Sequence, residues 1–261
     1  MTLNDKDTGE PLAFMSANLL SAARTGAVPG VAARHLARKD SEIVAVLGCG
    51  QINRSCLRSI LTQLPQVKKI VCYDIFEAAS EKFLSWAKEE LGVDGEATSD
   101  LEAAVRGADV LTVAASRLKP LYVKDEWLKA GVTVLITGPM QTDTSFWTST
   151  KLIYDNVRLH EAYVQEAIES GDKAGYYKGV IGGPIYTLID EGKMPALKDS
   201  TSIGEVILGK KEGRTNDKER VTFVACGMAT FDVGLGYDLY KTALKKGIGQ
   251  KLILWDEPYQ Q

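Results

Sequence analysis

Short apolar runs alternate with longer amphipathic stretches through the middle of the chain. Ile43 to Leu47 and Lys69 to Tyr73 are rich in apolar and β-branched residues, as in strands that are buried on both faces. The stretches after these runs have apolar residues at helical spacing, and further strands are predicted at 96–98, 110–114, 132–137 and 152–154. Strands that alternate with helices at this spacing predict an α/β fold of the Rossmann type, with a doubly wound parallel sheet.

The two ends of the chain follow a different pattern. At the N-terminal end they predict two extended pieces within residues 2–15 and a helix over 16–38. At the C-terminal end they predict a strand at 221–226 and a second helix at 229–246. Between the central elements and this C-terminal part, glycines crowd residues 171–183, which predicts a long surface loop. We therefore expect a central domain of residues 39–220 and a second, discontinuous domain of residues 1–38 and 221–261.

The most informative motif is the sequence that follows the apolar run at Ile43. Gly48-Cys49-Gly50-Gln51-Ile52-Asn53 resembles the G-x-G-x-x-G fingerprint of dinucleotide-binding folds, with the first turn of a helix beginning at Gln51 and Ile52. Gly48 permits the tight turn, and Gly50 lets the backbone approach a pyrophosphate at the positive end of the helix. A glycine turn in another doubly wound fold is the alternative. The third position is Asn53, which predicts looser packing between helix and strand than Gly or Ala allows.

Asp74 supports the dinucleotide interpretation. It lies 24 residues after Gly50, at the end of the second predicted strand, where a carboxylate can accept hydrogen bonds from both ribose hydroxyls. Ile75 and Phe76 follow it, so no arginine is available for a 2′-phosphate. The sequence therefore predicts NAD as cofactor, in preference to NADP.

Composition indicates which partners, cellular location and metal sites to expect. The chain has 261 residues, 45% hydrophobic, and a formal net charge of −3, without a basic stripe, so we expect no nucleic-acid partner and no membrane partner. The polar, acidic start is unlike a signal peptide, which predicts a cytoplasmic location. Four cysteines without a CxxC pair predict packed free thiols, with a reactive thiol at Cys49 as the alternative. Two isolated histidines predict no metal site.

Several motifs together resemble the ornithine cyclodeaminase/μ-crystallin family. Residues 4–13 (NDKDTGEPLA) and 24–27 (RTGA) resemble the family's "LND-x-TG-x-PLA" and "RTAA" stretches. Residues 208–214 (LGKKEGR) resemble its "aGkkpGR", and 223–227 followed by Asp232 resemble its "F-x-S-x-G…D". The resemblance covers nearly the whole chain.

The family resemblance implies several residue roles. Arg24 would bind the carboxylate of the substrate through its guanidinium, although a helix-surface arginine is the alternative. Thr25 would contact cofactor phosphate or substrate, and Ser116 and Gly227 would lie at the cofactor. The implied partners are a small amino or imino acid and a second copy of the chain in a homodimer. The terminal domain then becomes a residual substrate and dimerisation domain.

Two departures from the family pattern bear on activity. The family has an additional N-terminal segment with substrate-binding cations and dimerisation strands, so this chain corresponds to a fragment, an alternative start or a shortened relative. Cyclodeaminases also have a catalytic Asp two residues after a strand-ending glycine, but Gly138 is followed by Pro139 and Met140. Asp143 is the nearest acidic residue, and two interpretations of it are open: a catalytic residue or a solvated loop carboxylate.

The resemblance leaves three functions open. The favoured one is an NAD-dependent oxidoreductase that acts on an amino or imino acid, of the alanine dehydrogenase or ketimine reductase type. Ornithine cyclodeaminase, a lyase that recycles NAD, is the second. A non-catalytic NAD-binding relative is the third, because the activity of a chain without the N-terminal segment is open.

Overall fold

The computed structural model describes residues 1–115 and 120–253. Two compact units make up the chain: Met1–Arg24 together with the part from Met228 onward, and Thr25–Gly227. The second unit contains the predicted dinucleotide-binding region.

The unit Thr25–Gly227 contains the strands β3 (Ile43–Leu47), β4 (Lys69–Tyr73), β5 (Asp94–Thr98), β6 (Val110–Val113), β7 (Leu121–Val123), β8 (Thr133–Ile136), β9 (Met140–Thr142), β10 (Lys151–Tyr154), β11 (Thr201–Ser202) and β12 (Val221–Val224). An eight-stranded parallel sheet organises this unit, in the spatial order β11-β10-β12-β8-β6-β3-β4-β5. The order reverses between β3 and β6, which creates the crevice where doubly wound sheets bind ligands. A separate parallel pair joins β7 and β9.

Helices cover both faces of this sheet, so its central strands are buried on both sides. Along β3, Val44 and Val46 belong to one apolar core, whereas Ala45 and Leu47 belong to the core on the opposite face. The helices that lie in this unit, wholly or in part, are α1 (Asn18–Leu36), α2 (Gln51–Gln63), α3 (Glu77–Leu91), α4 (Leu101–Val105), α5 (Thr144–Ser149), α6 (Val157–Glu169), α7 (Lys173–Lys178), α8 (Gly183–Asp190) and α9 (Ile203–Ile207); α10 (Ala229–Lys246) belongs to the other unit.

The other unit contains a hairpin, the first part of α1 and α10. β1 (Thr2–Asn4) and β2 (Pro11–Phe14) pair in antiparallel fashion. The Asp5 carboxylate accepts the backbone N–H groups of Asp7 and Thr8 and so fixes the turn between them. Both the hairpin and the helix at 229–246 confirm the sequence predictions.

Two sequence predictions were wrong: the place of one strand, which depends on contacts distant in sequence, and the glycine-rich loop. The strand at 221–226 was assigned to the terminal domain, but β12 lies inside the parallel sheet between β8 and β10. The unit therefore extends to Gly227 rather than ending at residue 220. The glycine-rich stretch 171–183 is also not a long loop, since α7 and the start of α8 lie within it.

Candidate functional site

The glycine turn after β3 has the geometry of a phosphate-binding loop. Gly48 has a φ of +90°, and a Cβ there would lie 2.8 Å from the Cα of Ala115, so no other residue fits. Gly50 has an extended backbone, and a Cβ at this residue would have no atom of the described residues within 4 Å. The turn is therefore closed against the protein at Gly48 and open at Gly50.

Gly50 is the N-cap of α2, a helix of 13 residues. No side chain caps it, and its first turn, beginning at Gln51 and Ile52, has no acidic residue. The first N–H groups of a helix lack partners inside the helix and stabilise an anion there, with support from the helix dipole. The N-terminus of α2 can thus hold a phosphate group above Gly50.

Asn53 corrects the expectation of loose packing at the third motif position. Its side chain is fully buried, and its amide nitrogen donates to the carbonyl oxygens of Leu47 and Gly48 at 2.9 and 2.7 Å. Its amide oxygen accepts the hydroxyl of Thr112 on β6. Because every polar atom pairs with the turn or the neighbouring strand, Asn53 holds the glycine turn firmly in place.

Asp74 lies at the carboxyl end of β4, beside the glycine turn. Its Oδ2 accepts the N–H of Cys49 at 2.8 Å, and its Oδ1 accepts the N–H of Phe76 at 3.1 Å. A carboxylate offers about four acceptor positions, so this half-buried group retains capacity for two hydroxyl donors. The structure therefore brings Asp74 together with Gly48, Gly50 and the start of α2.

The Cys49 thiol is buried within this turn. Its pKa lies above its ordinary value because of hydrogen bonding to Cys72 and because of burial. A thiolate is the reactive form of cysteine, and both effects disfavour it. Cys49 therefore has the character of a packing residue rather than a nucleophile.

Arg24 lies in the unit that contains the hairpin. Its Nε donates to Oδ1 of Asp232 at 2.9 Å, and both side chains are mostly buried. Among the residues that the structure describes, its two terminal nitrogens have no hydrogen-bond partner. Asp232 thus orients the guanidinium while leaving both terminal nitrogens able to bind a carboxylate.

Thr25 begins the other unit, one residue before a close helix–helix contact. A Cβ at Gly26 would lie 2.3 Å from the backbone carbon of Ser55 on α2, so glycine is required here. This contact explains why Gly26 stands where the family motif has alanine. It places the second half of α1 directly against the helix that begins at the glycine turn.

The structure places Asp143 away from the glycine turn, near the amino edge of the sheet, which favours the alternative of a solvated loop carboxylate. β9 runs back from the carboxyl edge, and Asp143 accepts the backbone N–H of Asp125. The Asp125 carboxylate pairs with Arg220, which directly precedes β12 and so marks the amino edge. Because β8 has four residues, the two edges are about 13 Å apart. Hydrogen bonds from Tyr122 and Asp125 also lower the pKa of Asp143.

A buried polar cluster at the carboxyl edge was not predicted from the sequence. Asp155 follows β10 and accepts the backbone N–H groups of Cys226 and Gly227, and His160 contacts the same carboxylate. Asp155 follows its predicted strand in the same way as Asp74 follows β4, and that signal could have identified it. Ser116 lies outside the described residues.

The described part of the chain contains neither a candidate metal site nor a candidate membrane-spanning helix. No three His, Cys, Asp or Glu side chains within it gather in a way that could hold a metal ion. Among residues 1–115 and 120–253, no helix combines the length and apolar character that a membrane span requires.

Comparison with known proteins identifies the family. The model of the ornithine cyclodeaminase/mu-crystallin family matches residues 1–247. The chain belongs to this family. This member of the ornithine cyclodeaminase/mu-crystallin family is 31% identical to the alanine dehydrogenase of Archaeoglobus fulgidus over 257 residues, which are 97% of this chain and 72% of that protein.

Two solved structures of the ornithine cyclodeaminase/mu-crystallin type are similar to the chain. The Thermococcus litoralis Delta(1)-pyrroline-2-carboxylate reductase in complex with NADH and L-proline has a TM-score of 0.79 and 28% identity, covering 96% of this chain and 73% of that one. An archaeal alanine dehydrogenase dimer with bound NAD has a TM-score of 0.78 and 30% identity, covering 97% and 73%.

Proposed function

We propose that this chain binds NAD and belongs to an oxidoreductase that acts on a small amino or imino acid. The observation that supports the proposal is the open space at Gly50, which is the N-cap of α2 and lies in the glycine turn beside Asp74; we call this open space the cradle. Relatives with the same fold are an alanine dehydrogenase and a Delta(1)-pyrroline-2-carboxylate reductase.

The residues around the cradle fit a dinucleotide. Gly48 lets the turn pack closely against Ala115, Gly50 leaves room for the pyrophosphate, and the N–H groups of Gln51 and Ile52 supply donors to it. Asp74 accepts the hydroxyls of the adenine-side ribose. Thr25, Ser116 and Gly227 are proposed as further cofactor contacts from the family resemblance.

Arg24 is the proposed ligand of the substrate carboxylate. A guanidinium holds a carboxylate through two parallel hydrogen bonds, and Asp232 occupies only its Nε. Bound nicotinamide supplies the hydride donor or acceptor for the α-carbon of the substrate. The protein's part is to fix the orientation of the carboxylate and to exclude alternative poses.

Oxidoreductase chemistry is favoured over cyclodeaminase chemistry by the residues after β8. Gly138, Pro139 and Met140 offer no carboxylate, and Asp143 lies at the amino edge of the sheet. Loss of ammonia and ring closure need a positioned proton acceptor. The residues after β8 therefore do not provide the catalytic aspartate that a cyclodeaminase is expected to have at this place.

The test is binding and turnover by the purified chain. Calorimetric titration with NAD and NADP measures cofactor choice, and tighter binding of NAD is expected. NADH absorbance is then followed with Delta(1)-pyrroline-2-carboxylate and with pyruvate plus ammonia, and ornithine is tested for ammonia release. Net NADH consumption supports the reductase, ammonia release without net consumption supports the cyclodeaminase, and binding without turnover supports the non-catalytic alternative.

Two expectations about the protein as a whole stay predictions. A homodimer is favoured by the dimeric state of the similar archaeal alanine dehydrogenase, and light scattering of the purified chain tests it. A cytoplasmic location is tested by cell fractionation. A monomer, or recovery outside the cytoplasm, would contradict the respective prediction.

A further inference from the structure

A buried polar cluster lies under the turn that follows β12. It consists of Asp155 after β10, His160 on α6 and Tyr186 on α8, and we call it the Asp155 cluster. The side chains of all three residues are essentially inaccessible to solvent, whereas Cys226 and Gly227 above them are half-buried. The cluster thus supports a partly accessible turn from below.

The carboxylate of Asp155 holds this turn through its backbone. Oδ2 accepts the N–H groups of Cys226 and Gly227, at 2.8 and 3.0 Å. Oδ1 accepts the N–H of Asn156 at 2.8 Å and contacts Nε2 of His160 at 2.9 Å. Burial of a carboxylate is costly unless its oxygens are paired, and here each oxygen has two partners. Because Gly227 has a φ of +86°, these bonds select one uncommon backbone conformation.

His160 and Tyr186 complete the cluster. A carboxylate only accepts hydrogen bonds, so the tautomer of His160 that suits Asp155 has its proton on Nε2; in that tautomer Nδ1 accepts the Tyr186 hydroxyl, with 2.6 Å between the two atoms. Burial raises the pKa of Tyr186, which keeps this hydroxyl protonated. A Cβ at Gly182 would lie 2.3 Å from the Tyr186 hydroxyl oxygen, so glycine makes room for it. The cluster therefore joins the ends of β10 and β12 to α6 and α8.

The Cys226–Gly227 turn lies at the carboxyl edge of the sheet, as the glycine turn does. β12 is the third strand beyond β3 on the side where the strand order reverses, and its carboxyl end faces the same crevice. In doubly wound folds the two halves of the sheet hold the two halves of a dinucleotide. If the glycine turn holds the pyrophosphate and Asp74 the adenine-side ribose, the Cys226–Gly227 turn lies on the nicotinamide side.

We propose that Asp155, His160 and Tyr186 are positioning residues that fix the Cys226–Gly227 turn as the nicotinamide end of the nucleotide site. This proposal rests on the NAD binding proposed above. None of the three residues needs to touch the cofactor, since the turn transmits their effect. Their loss should therefore affect ligands that contain nicotinamide more than ligands that lack it.

The test compares NAD with ADP-ribose, which lacks only the nicotinamide ring. In calorimetric titrations, Asp155→Asn is expected to weaken NAD binding about tenfold or more, as misplaced positioning groups commonly do, while ADP-ribose affinity stays within about twofold. Tyr186→Phe and His160→Gln are expected to cause smaller losses in the same direction. His160→Gln retains a donor for Asp155 and should bind NAD more tightly than His160→Phe.

Asp109 provides a matched control at the amino edge of the sheet. Its buried carboxylate also accepts two consecutive backbone N–H groups, those of Glu42 and Ile43 at 2.8 and 2.9 Å. Asp109→Asn should lower stability without changing the ratio of NAD affinity to ADP-ribose affinity. A change in that ratio equal to the change in Asp155→Asn would overturn the proposal.

The outcomes separate this proposal from the proposed function. A wild-type chain that binds neither ligand refutes NAD binding itself and the proposal with it. A wild-type chain that binds both, with variants that lose both equally or lose neither, refutes only the role of the Asp155 cluster. If Asp155→Asn does not fold, Tyr186→Phe and the two His160 variants decide the question, with ADP-ribose binding as the measure of an intact site.

Discussion

Asn53 on α2 and Thr112 on β6 are joined by a buried hydrogen bond of 2.8 Å, from the Thr112 hydroxyl to the amide oxygen of Asn53. The same side chain donates to the carbonyl oxygens of Leu47 and Gly48. The dinucleotide fingerprint has Gly or Ala at this position, which only permits close packing. In this chain a polar side chain ties the glycine turn to the neighbouring strand.

We expect Asn53→Ala to destabilise the protein by about 2 kcal/mol, because the Thr112 hydroxyl and the Gly48 carbonyl lose their partner in a buried place. Urea unfolding of Asn53→Ala, Thr112→Val and the double variant measures the coupling between the two side chains. The expected coupling is about 1 kcal/mol. Additive effects of the two substitutions would show that the hydrogen bond contributes nothing to stability.

We expect Gly50→Val to abolish NAD binding and leave the fold intact. The Cβ of the new side chain would have no described protein atom within 4 Å, and the side chain would occupy the space proposed for the pyrophosphate. Gly204→Val is the matched control, since Gly204 lies in the first turn of α9 and a Cβ there would also have no described atom within 4 Å. Calorimetry and circular dichroism decide the outcome. Unchanged NAD affinity in folded Gly50→Val would remove the glycine turn from the site.

We expect Asp74→Ala to weaken NAD binding by about 1–3 kcal/mol, the usual range for a hydrogen bond to a charged acceptor. Asp74→Asn retains an oxygen for the Cys49 N–H and therefore separates the support of the turn from recognition of the ribose. Titration with NAD and NADP is the measurement. If the wild-type chain binds NADP more tightly than NAD, the role of Asp74 in cofactor choice is refuted.

We expect Arg24→Gln to lower kcat/KM about 100-fold while NAD affinity is unchanged, because the substrate carboxylate loses its orienting partner. Arg24→Lys should also have much lower activity than the wild type, since an ammonium cannot form two parallel hydrogen bonds with a carboxylate. Asp232→Asn should cause a smaller loss, because it only orients the guanidinium. Steady-state kinetics by NADH absorbance test this series. Equal activity of Arg24→Gln and wild type would contradict the assignment.

We expect stability to fall in acid partly through Asp109. Burial raises the pKa of Asp109, but hydrogen bonds from Lys129 and from the Glu42 and Ile43 amides outweigh this, so the net pKa is lowered. A lowered pKa in the folded state stabilises the protein above the unfolded pKa, and this stabilisation is lost as pH falls through the folded pKa. Asp109→Asn should flatten the acid limb of thermal stability measured against pH. An identical limb in both proteins would exclude Asp109 as a contributor.

The local features of the candidate cofactor site follow from the sequence alone. The apolar run of β3, the glycines at 48 and 50, the helical spacing of α2 and Asp74 after β4 could all be identified, because each depends on neighbours in sequence. Backbone conformation at a glycine, helix periodicity and the burial of a strand are local properties. These local properties also predicted the parallel sheet and the helix at 229–246.

Only the tertiary structure decided which distant residues meet. The place of β12 between β8 and β10, the amino-edge position of Asp143 and the grouping of Asp155 with His160 and Tyr186 all depend on strand order. A strand's sequence shows that it is buried but not which strands flank it, because many apolar strands could bury the same surface. The partner is selected by the packing of the whole sheet, and that selection places each side chain at one edge or the other.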